Sequence, residues 1–249
     1  MKYFLTLAYN GHPFCGWQRQ PNGTSVQACI EQVLSTILRE EIEITGCGRT
    51  DTGVHARYYV AHFSTEASIP PTFIHAINRM LPADIVIYNY LAMPDDAHAR
   101  FDAFERSYEY HIALVKTPFD HHTIWQYPQA QRLDKGKMQE TAQLLTQFEA
   151  FYPFCKSHSG VEHYRCKLTD AHWDFQPEAH KMVFHITANR FLRGMVRLIV
   201  GTCIQVGMGN IMVEDVKKAL EMQTTLPKAL SVPPDGLFLT RVVYPYSFT

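Results

Sequence analysis

The chain lacks the features by which several protein classes declare themselves. No run approaches the roughly 20 apolar residues that a membrane-spanning helix needs, and the opening MKYFLTLAYN passes into patterned sequence with no cleavable hydrophobic region. A cytoplasmic protein with no membrane partner is therefore expected. The six cysteines, at 15, 29, 47, 155, 166 and 203, form neither a CxxC pair nor a framework spacing, which points to reduced thiols in a chain large enough to fold without staples. GxxxxGK[ST], GxGxxG and HExxH are all missing, so no nucleotide cofactor is indicated. An excess of one charge is missing as well: 23 Lys and Arg against 24 Asp and Glu leave a formal net charge of -1. Any phosphate-rich partner must then be held by local clusters of arginine and lysine.

What is present is a repeated order of elements. Residues 3 to 9 read as a strand, and a helix follows from Thr24, where Thr24 and Gln27 match a capping box. Val26, Ile30, Val33, Leu34, Ile37 and Leu38 recur at helical spacing and make one stripe. Extended segments over roughly 42 to 49 and 54 to 64 come next. Pro70 and Pro71 then open a short helix with Phe73, Ile74, Ile77, Met80 and Leu81 inward, and 84 to 91 closes the set as a strand. The order is βαββαβ, the split unit of ferredoxin-like folds.

A second pass begins near Arg106: the alternating strand SYEYHIALV, a helix over 134 to 148, two strands near 166 to 175 and 181 to 188, a helix over 191 to 206, a shorter helix after Glu214 and a last strand at 237 to 244. An α+β protein of two ferredoxin-like (βαββαβ) halves, 1–100 and 101–249, is expected, with a continuous mainly antiparallel sheet and a central cleft between the halves.

The string GCGRTDTGVHA at 46 to 56 holds the most chemistry. In an extended segment, period two puts Arg49 and Asp51 on one face. Gly46, Gly48 and Gly53 remove bulk, so the backbone can bend and a ligand can come close to the carboxylate. On the helix over 191 to 206, Arg190, Arg193 and Arg197 lie three and four apart and share one edge beside an apolar stripe. A partly buried arginine there needs an anion, and Asp51 is the partner chosen for it. An ionised aspartate so held can act as nucleophile, base or stabiliser of positive charge at a sugar carbon, and the residues leave that choice open. Tyr108 and Tyr110 share a strand face; packing is the reading for Tyr110, whereas Tyr108 offers a ring for stacking and a hydroxyl for proton traffic. The spacing Cys155, His158, His163, Cys166 invites a zinc reading, but two pairs separated by four residues make a cramped chelate, and a polar loop is preferred.

With these residues in view, the chain resembles the tRNA pseudouridine synthase A family at GCGRTDTGVHA, and also at AYNGHPFCGWQRQPNGTSVQ (8 to 27), HARFDAFERSYEYHI (98 to 112), NRFLRGMVRLIVGTCIQVG (189 to 207) and PPDGLFL (233 to 239), in order from end to end. The resemblance implies an isomerase that converts uridine to pseudouridine at positions 38, 39 and 40 of the tRNA anticodon stem-loop. No cofactor or metal is implied, and the partners are tRNA and a second copy in a homodimer. It implies Asp51 as the catalytic aspartate, Arg49 as the arginine associated with base flipping, Tyr108 as the active-site tyrosine and Arg197 as the basic partner of the aspartate. Arg190 and Arg193 are expected to bind the phosphate backbone. One segment departs from the family pattern, FEAFYPFCKSH at 148 to 158, where relatives often carry a DFTSF-like stretch. The alternative is a non-catalytic tRNA- or RNA-binding or RNA-folding protein of the same fold.

Overall fold

The structure is a computed structural model that describes residues 1–156, 160 and 162–246. It contains two compact units, Met1–Glu105 with Phe238–Thr249, and Arg106–Leu237.

The first unit runs β1 (Lys2–Tyr9), α1 (Val26–Leu38), β2 (Thr45–Gly46), β3 (His55–Ser64), α2 (Phe73–Met80) and β4 (Ile85–Met93). β1 lies between β4 and β3, antiparallel to both, and β2 pairs antiparallel with β3 at Ala61 and His62. That is the expected βαββαβ unit. The α1 stripe is buried at Val26, Ile30, Val33, Leu34 and Leu38. Its cap is Ser25 instead of Thr24: the Ser25 hydroxyl accepts from the Ala28 N–H (3.1 Å). Gln27 points away from the cap, donating to Glu31 and to the Ile44 carbonyl. On α2, Phe73 and Ile77 are buried but Met80 is exposed, because the helix ends there and Leu81 turns inward in its place. The segment over 42 to 49 keeps only two residues of regular strand; after Gly46 a single bond from Cys47 N–H to the Val60 carbonyl (2.8 Å) continues the ladder before the chain bends off.

The second unit contains β5 (Glu105–Ala113) from Arg106 onward, β6 (Trp125–Gln126), α3 (Lys135–Leu145), β7 (Leu168–Gln176), β8 (Lys181–Ala188), α4 (Met195–Gly207) and α5 (Val213–Met222). β8 pairs antiparallel with β5 and with β7, and the short β6 runs parallel to β5. α3 packs against α4 and β7. Met138, Ala142 and Leu145 of α3 are fully buried, as are Ile199, Val200, Cys203 and Ile204 of α4. Both units are thus α+β with mainly antiparallel sheets covered by amphipathic helices.

The last strand, β9 (Leu237–Val243), belongs to the second pass in the sequence pattern, yet from Phe238 onward it is part of the first unit. There it lies parallel to β3, with His55 opposite Phe238 and Ala56 opposite Leu239. The His55 and Phe238 rings stack at 4.6 Å, and Arg57 sits over the same phenyl ring, 4.6 Å from its centroid.

Candidate active site

Asp51 lies in the loop between β2 and β3, where close backbone contacts determine its position. The Asp51 carbonyl accepts from the Val54 N–H (3.1 Å), closing a turn in which Gly53 takes φ 77°, a conformation that favours glycine. The segment 10 to 17 supports this turn. Trp17 N–H donates to the Thr50 carbonyl (3.3 Å), and Gly53 N–H donates to the Phe14 carbonyl (3.3 Å). A Cβ on Gly11 would lie 2.0 Å from the Val54 oxygen, and one on Gly16 would lie 2.4 Å from the Thr50 oxygen. Backbone thus rests on backbone, and two glycines permit it.

Thr50, between Arg49 and Asp51, is buried, and its hydroxyl pairs with that of Tyr9 (2.9 Å). Arg49 is exposed and Asp51 half-buried. Asp51 therefore keeps part of its surface open while the residue before it is anchored.

The glycines of this motif do different things. Gly46 serves packing, since a Cβ there would meet the Tyr59 hydroxyl at 2.1 Å and the Trp17 indole at 2.6 Å. Trp17 and Tyr59 stack at 4.2 Å over it, and the Tyr59 hydroxyl donates to the Gly48 carbonyl. At Gly48, by contrast, a Cβ would meet nothing within 4 Å. The ligand-access reading thus survives at Gly48 and not at Gly46. Trp17, Tyr59, Tyr9 and His55, whose Nδ1 accepts from the Gly11 N–H (3.0 Å), form a supporting layer that period-two reasoning missed. The paired glycines of NGHPFCGW were the available signal.

The second unit holds the remaining candidates. Tyr108 on β5 stands opposite Ile186, and its ring meets Phe191 edge-on at 5.0 Å. Tyr110 is fully buried, as packing required. Its hydroxyl donates to the Pro233 carbonyl (2.7 Å), and burial pushes that hydroxyl far above its ordinary range, with the Arg197 charge opposing and Asp235 adding to the shift. Arg197, on α4, donates through Nε to the Val232 carbonyl (2.6 Å), while Val232 N–H returns a bond to the Arg197 carbonyl (3.4 Å). Gly236 accepts from the His111 N–H (2.8 Å). The PPDG segment is thereby strapped to β5 and α4 by Tyr110, His111 and Arg197.

Arg190 and Arg193 do not share a helix edge with Arg197. α4 begins only at Met195, because Gly194 takes φ 70° at the N-cap and breaks the helical run. Arg193 is exposed in the turn before it, and its carbonyl accepts from the Lys156 N–H (3.2 Å). Arg190 is half-buried with Nη1 3.0 Å from His163 Nε2. Of the residues considered for zinc, His158 lies outside the described residues. Cys155 is half-buried and Cys166 buried, and burial pushes the Cys166 thiol up to about 11.

Comparison with known proteins bears on both units. The family model described as tRNA pseudouridine synthase matches residues 6–102 and 147–245. The first stretch contains Arg49 and Asp51 and the second Arg190, Arg193 and Arg197, whereas Tyr108 falls between them. A protein named tRNA pseudouridine synthase A from Bacteroides fragilis is 44% identical over 248 residues, covering 98% of this chain and 96% of its own. Those of the same name from Porphyromonas gingivalis and Clostridium acetobutylicum are 42% and 35% identical, covering 98% and 96% of this chain and 97% and 98% of their own. A match that takes in most of the sequence, with relatives collinear along nearly all of it, means that the chain belongs to the tRNA pseudouridine synthase family.

Proposed function

We infer that this protein isomerises uridine to pseudouridine in tRNA, at positions 38, 39 and 40 of the anticodon stem-loop. It acts as a cytoplasmic homodimer, with Asp51 as the catalytic carboxylate. The observation that carries this reading is the Asp51 loop: a half-buried carboxylate on backbone that Gly11, Gly16 and Gly53 allow to pack closely, within a chain of this family.

The reaction breaks the link from the ribose to N1 and makes one to C5, so composition is unchanged and no redox partner is consumed. An ionised carboxylate can serve it at the sugar carbon or as acceptor of the C5 proton. The base must first leave its stack, at a cost of a few kcal/mol. Arg49, exposed two residues from Asp51, suits the flipped state. Tyr108 and Arg197 take supporting roles on the family resemblance, and Arg190 and Arg193 contact phosphates.

The test is to incubate the full chain with unmodified tRNA transcript and map pseudouridine at single-nucleotide resolution by carbodiimide primer extension. The wild type is expected to give stops at 38, 39 and 40. Asp51→Asn, which removes charge and keeps shape, is expected to give none while its tRNA affinity stays near that of the wild type. Near-normal turnover by that variant would refute the assignment. A wild type that binds tRNA and leaves every uridine intact would instead identify a non-catalytic RNA-binding protein.

A further inference from the structure

Between β4 and β5, residues 98 to 102 form a short non-repetitive turn in which every N–H has a partner. His98 N–H donates to Asp102 Oδ2 (2.6 Å) and Ala99 N–H to His62 Nδ1 (3.1 Å). Arg100 and Phe101 N–H both donate to His98 Nδ1 (3.1 and 3.3 Å), and Asp102 N–H returns to the His98 carbonyl (3.1 Å). From the last residues of the chain, the Tyr244 hydroxyl donates to the Ala99 carbonyl and the Tyr246 hydroxyl to Asp102 Oδ2 (3.1 Å). The His62 and His98 rings meet at 4.7 Å. Two histidines, an aspartate and two tyrosines are thus used to hold five residues in one shape.

What that shape displays is Phe101, 74% exposed, with the His98 ring 4.2 Å from its own and the Arg100 guanidinium 5.7 Å from its centroid. A single exposed phenylalanine on a surface needs no explanation. This one sits on a backbone that has been made rigid, and its ring gains little from the fold. A rigid, largely exposed aromatic with a guanidinium reaching over its ring is an arrangement that receives an unpaired nucleobase, with the base against the exposed part of the ring and the flanking phosphate on the guanidinium. The guanidinium supplies the charge complementarity that a phosphate-bearing partner requires, and a protein partner at the same patch is an outcome that sedimentation reads.

We propose that Phe101, flanked by Arg100, is a stacking platform for an unpaired base of the tRNA substrate, pre-formed by the His62, His98, Asp102, Tyr244 and Tyr246 network. The proposal rests on the tRNA-modifying function inferred above and adds to it a binding element outside the Asp51 loop.

The test compares wild type, Phe101→Ala, Phe101→Trp and Arg100→Gln in binding to the unmodified tRNA transcript over a range of salt, and in steady-state pseudouridine formation. Phe101→Ala is expected to raise Kd and KM about fivefold or more, with the salt slope unchanged because stacking releases no counterions. Phe101→Trp keeps a ring and should stay within about twofold of the wild type. Arg100→Gln should lower the salt slope by about 0.7 to 0.9. Thermal melting of each variant checks that the fold is intact, as expected for substitution at an exposed ring. An active wild type matched by Phe101→Ala in Kd and KM overturns the platform and leaves the function standing. A Phe101→Ala variant that changes sedimentation while binding tRNA normally marks the patch as a self-association face and also overturns it. A wild type that makes no pseudouridine overturns the function itself and the platform with it.

Discussion

Gly46 and Gly48 stand two residues apart in the same motif and answer to different neighbours. A methyl group at 46 would enter the space of the Tyr59 hydroxyl and the Trp17 indole, both part of a stacked buried pair that has no room to yield, whereas at 48 it would meet nothing within 4 Å. Gly46→Ala is therefore expected to cost about 1–3 kcal/mol of overpacking, and Gly48→Ala to stay within about 0.5 kcal/mol. Urea unfolding monitored by tryptophan fluorescence reads both, and equal losses would show that the Trp17 and Tyr59 pair does not hold the loop. The glycine-rich string was visible in the sequence, and so was Asp51 as its chemical centre. What each glycine is for was not, because the residues that make Gly46 obligatory arrive from distant parts of the chain, and local periodicity carries no record of them. Arg49 and Asp51 likewise shared a face only on the assumption of an extended segment; in the structure they flank a buried threonine on a loop.

Among elements, those with a strong hydrophobic period were legible and their ends were not. The stripe of α4 is readable in the sequence, but its apolar spacing runs on from 191 and does not mark the start, which the left-handed conformation of Gly194 sets at Met195. The PPDG strap, held by Tyr110, His111 and Arg197, has no periodicity at all, so only the resemblance marked it. The segment 94 to 104 also escaped pattern reading, yet its chemistry is definite enough to titrate. His62 accepts the Ala99 N–H through Nδ1 and is half-buried beside His98, Lys2 and Asp102. Burial, then the His98 and Lys2 charges, lower its pKa from 6.5 to about 4, with Asp102 opposing. A lowered histidine favours the folded state while neutral: its contribution is complete above pH 6.5 and is lost as pH falls toward 4, where the unfolded chain takes up a proton that the folded one resists. His62→Asn retains an acceptor for Ala99 and cannot titrate. Its unfolding midpoint should therefore depend less on pH between 6.5 and 4 than that of the wild type, and parallel profiles for the two proteins would place the acid-sensitive group elsewhere.

For the whole molecule the deciding quantity is charge. A net charge of -1 supplies no long-range attraction for a polyanion, so affinity for tRNA must come from a few cations placed where phosphates pass. Arg193 is the clearest of these in the second unit: its side chain is exposed, while its carbonyl is tied to Lys156 N–H, so the substitution removes a charge without removing a support. Arg197 is the opposite case, since its guanidinium holds the Val232 carbonyl and its loss should read first in stability. Each phosphate neutralised contributes about 0.7 to 0.9 to the slope of log K against log salt. Arg193→Ala should accordingly weaken tRNA binding and reduce that slope by about this amount, with no change in melting temperature. Filter binding at a series of potassium chloride concentrations provides the measurement. A weakened affinity with the wild-type slope would mean that Arg193 acts by shape, and the phosphate track of this protein would have to be sought on other cations.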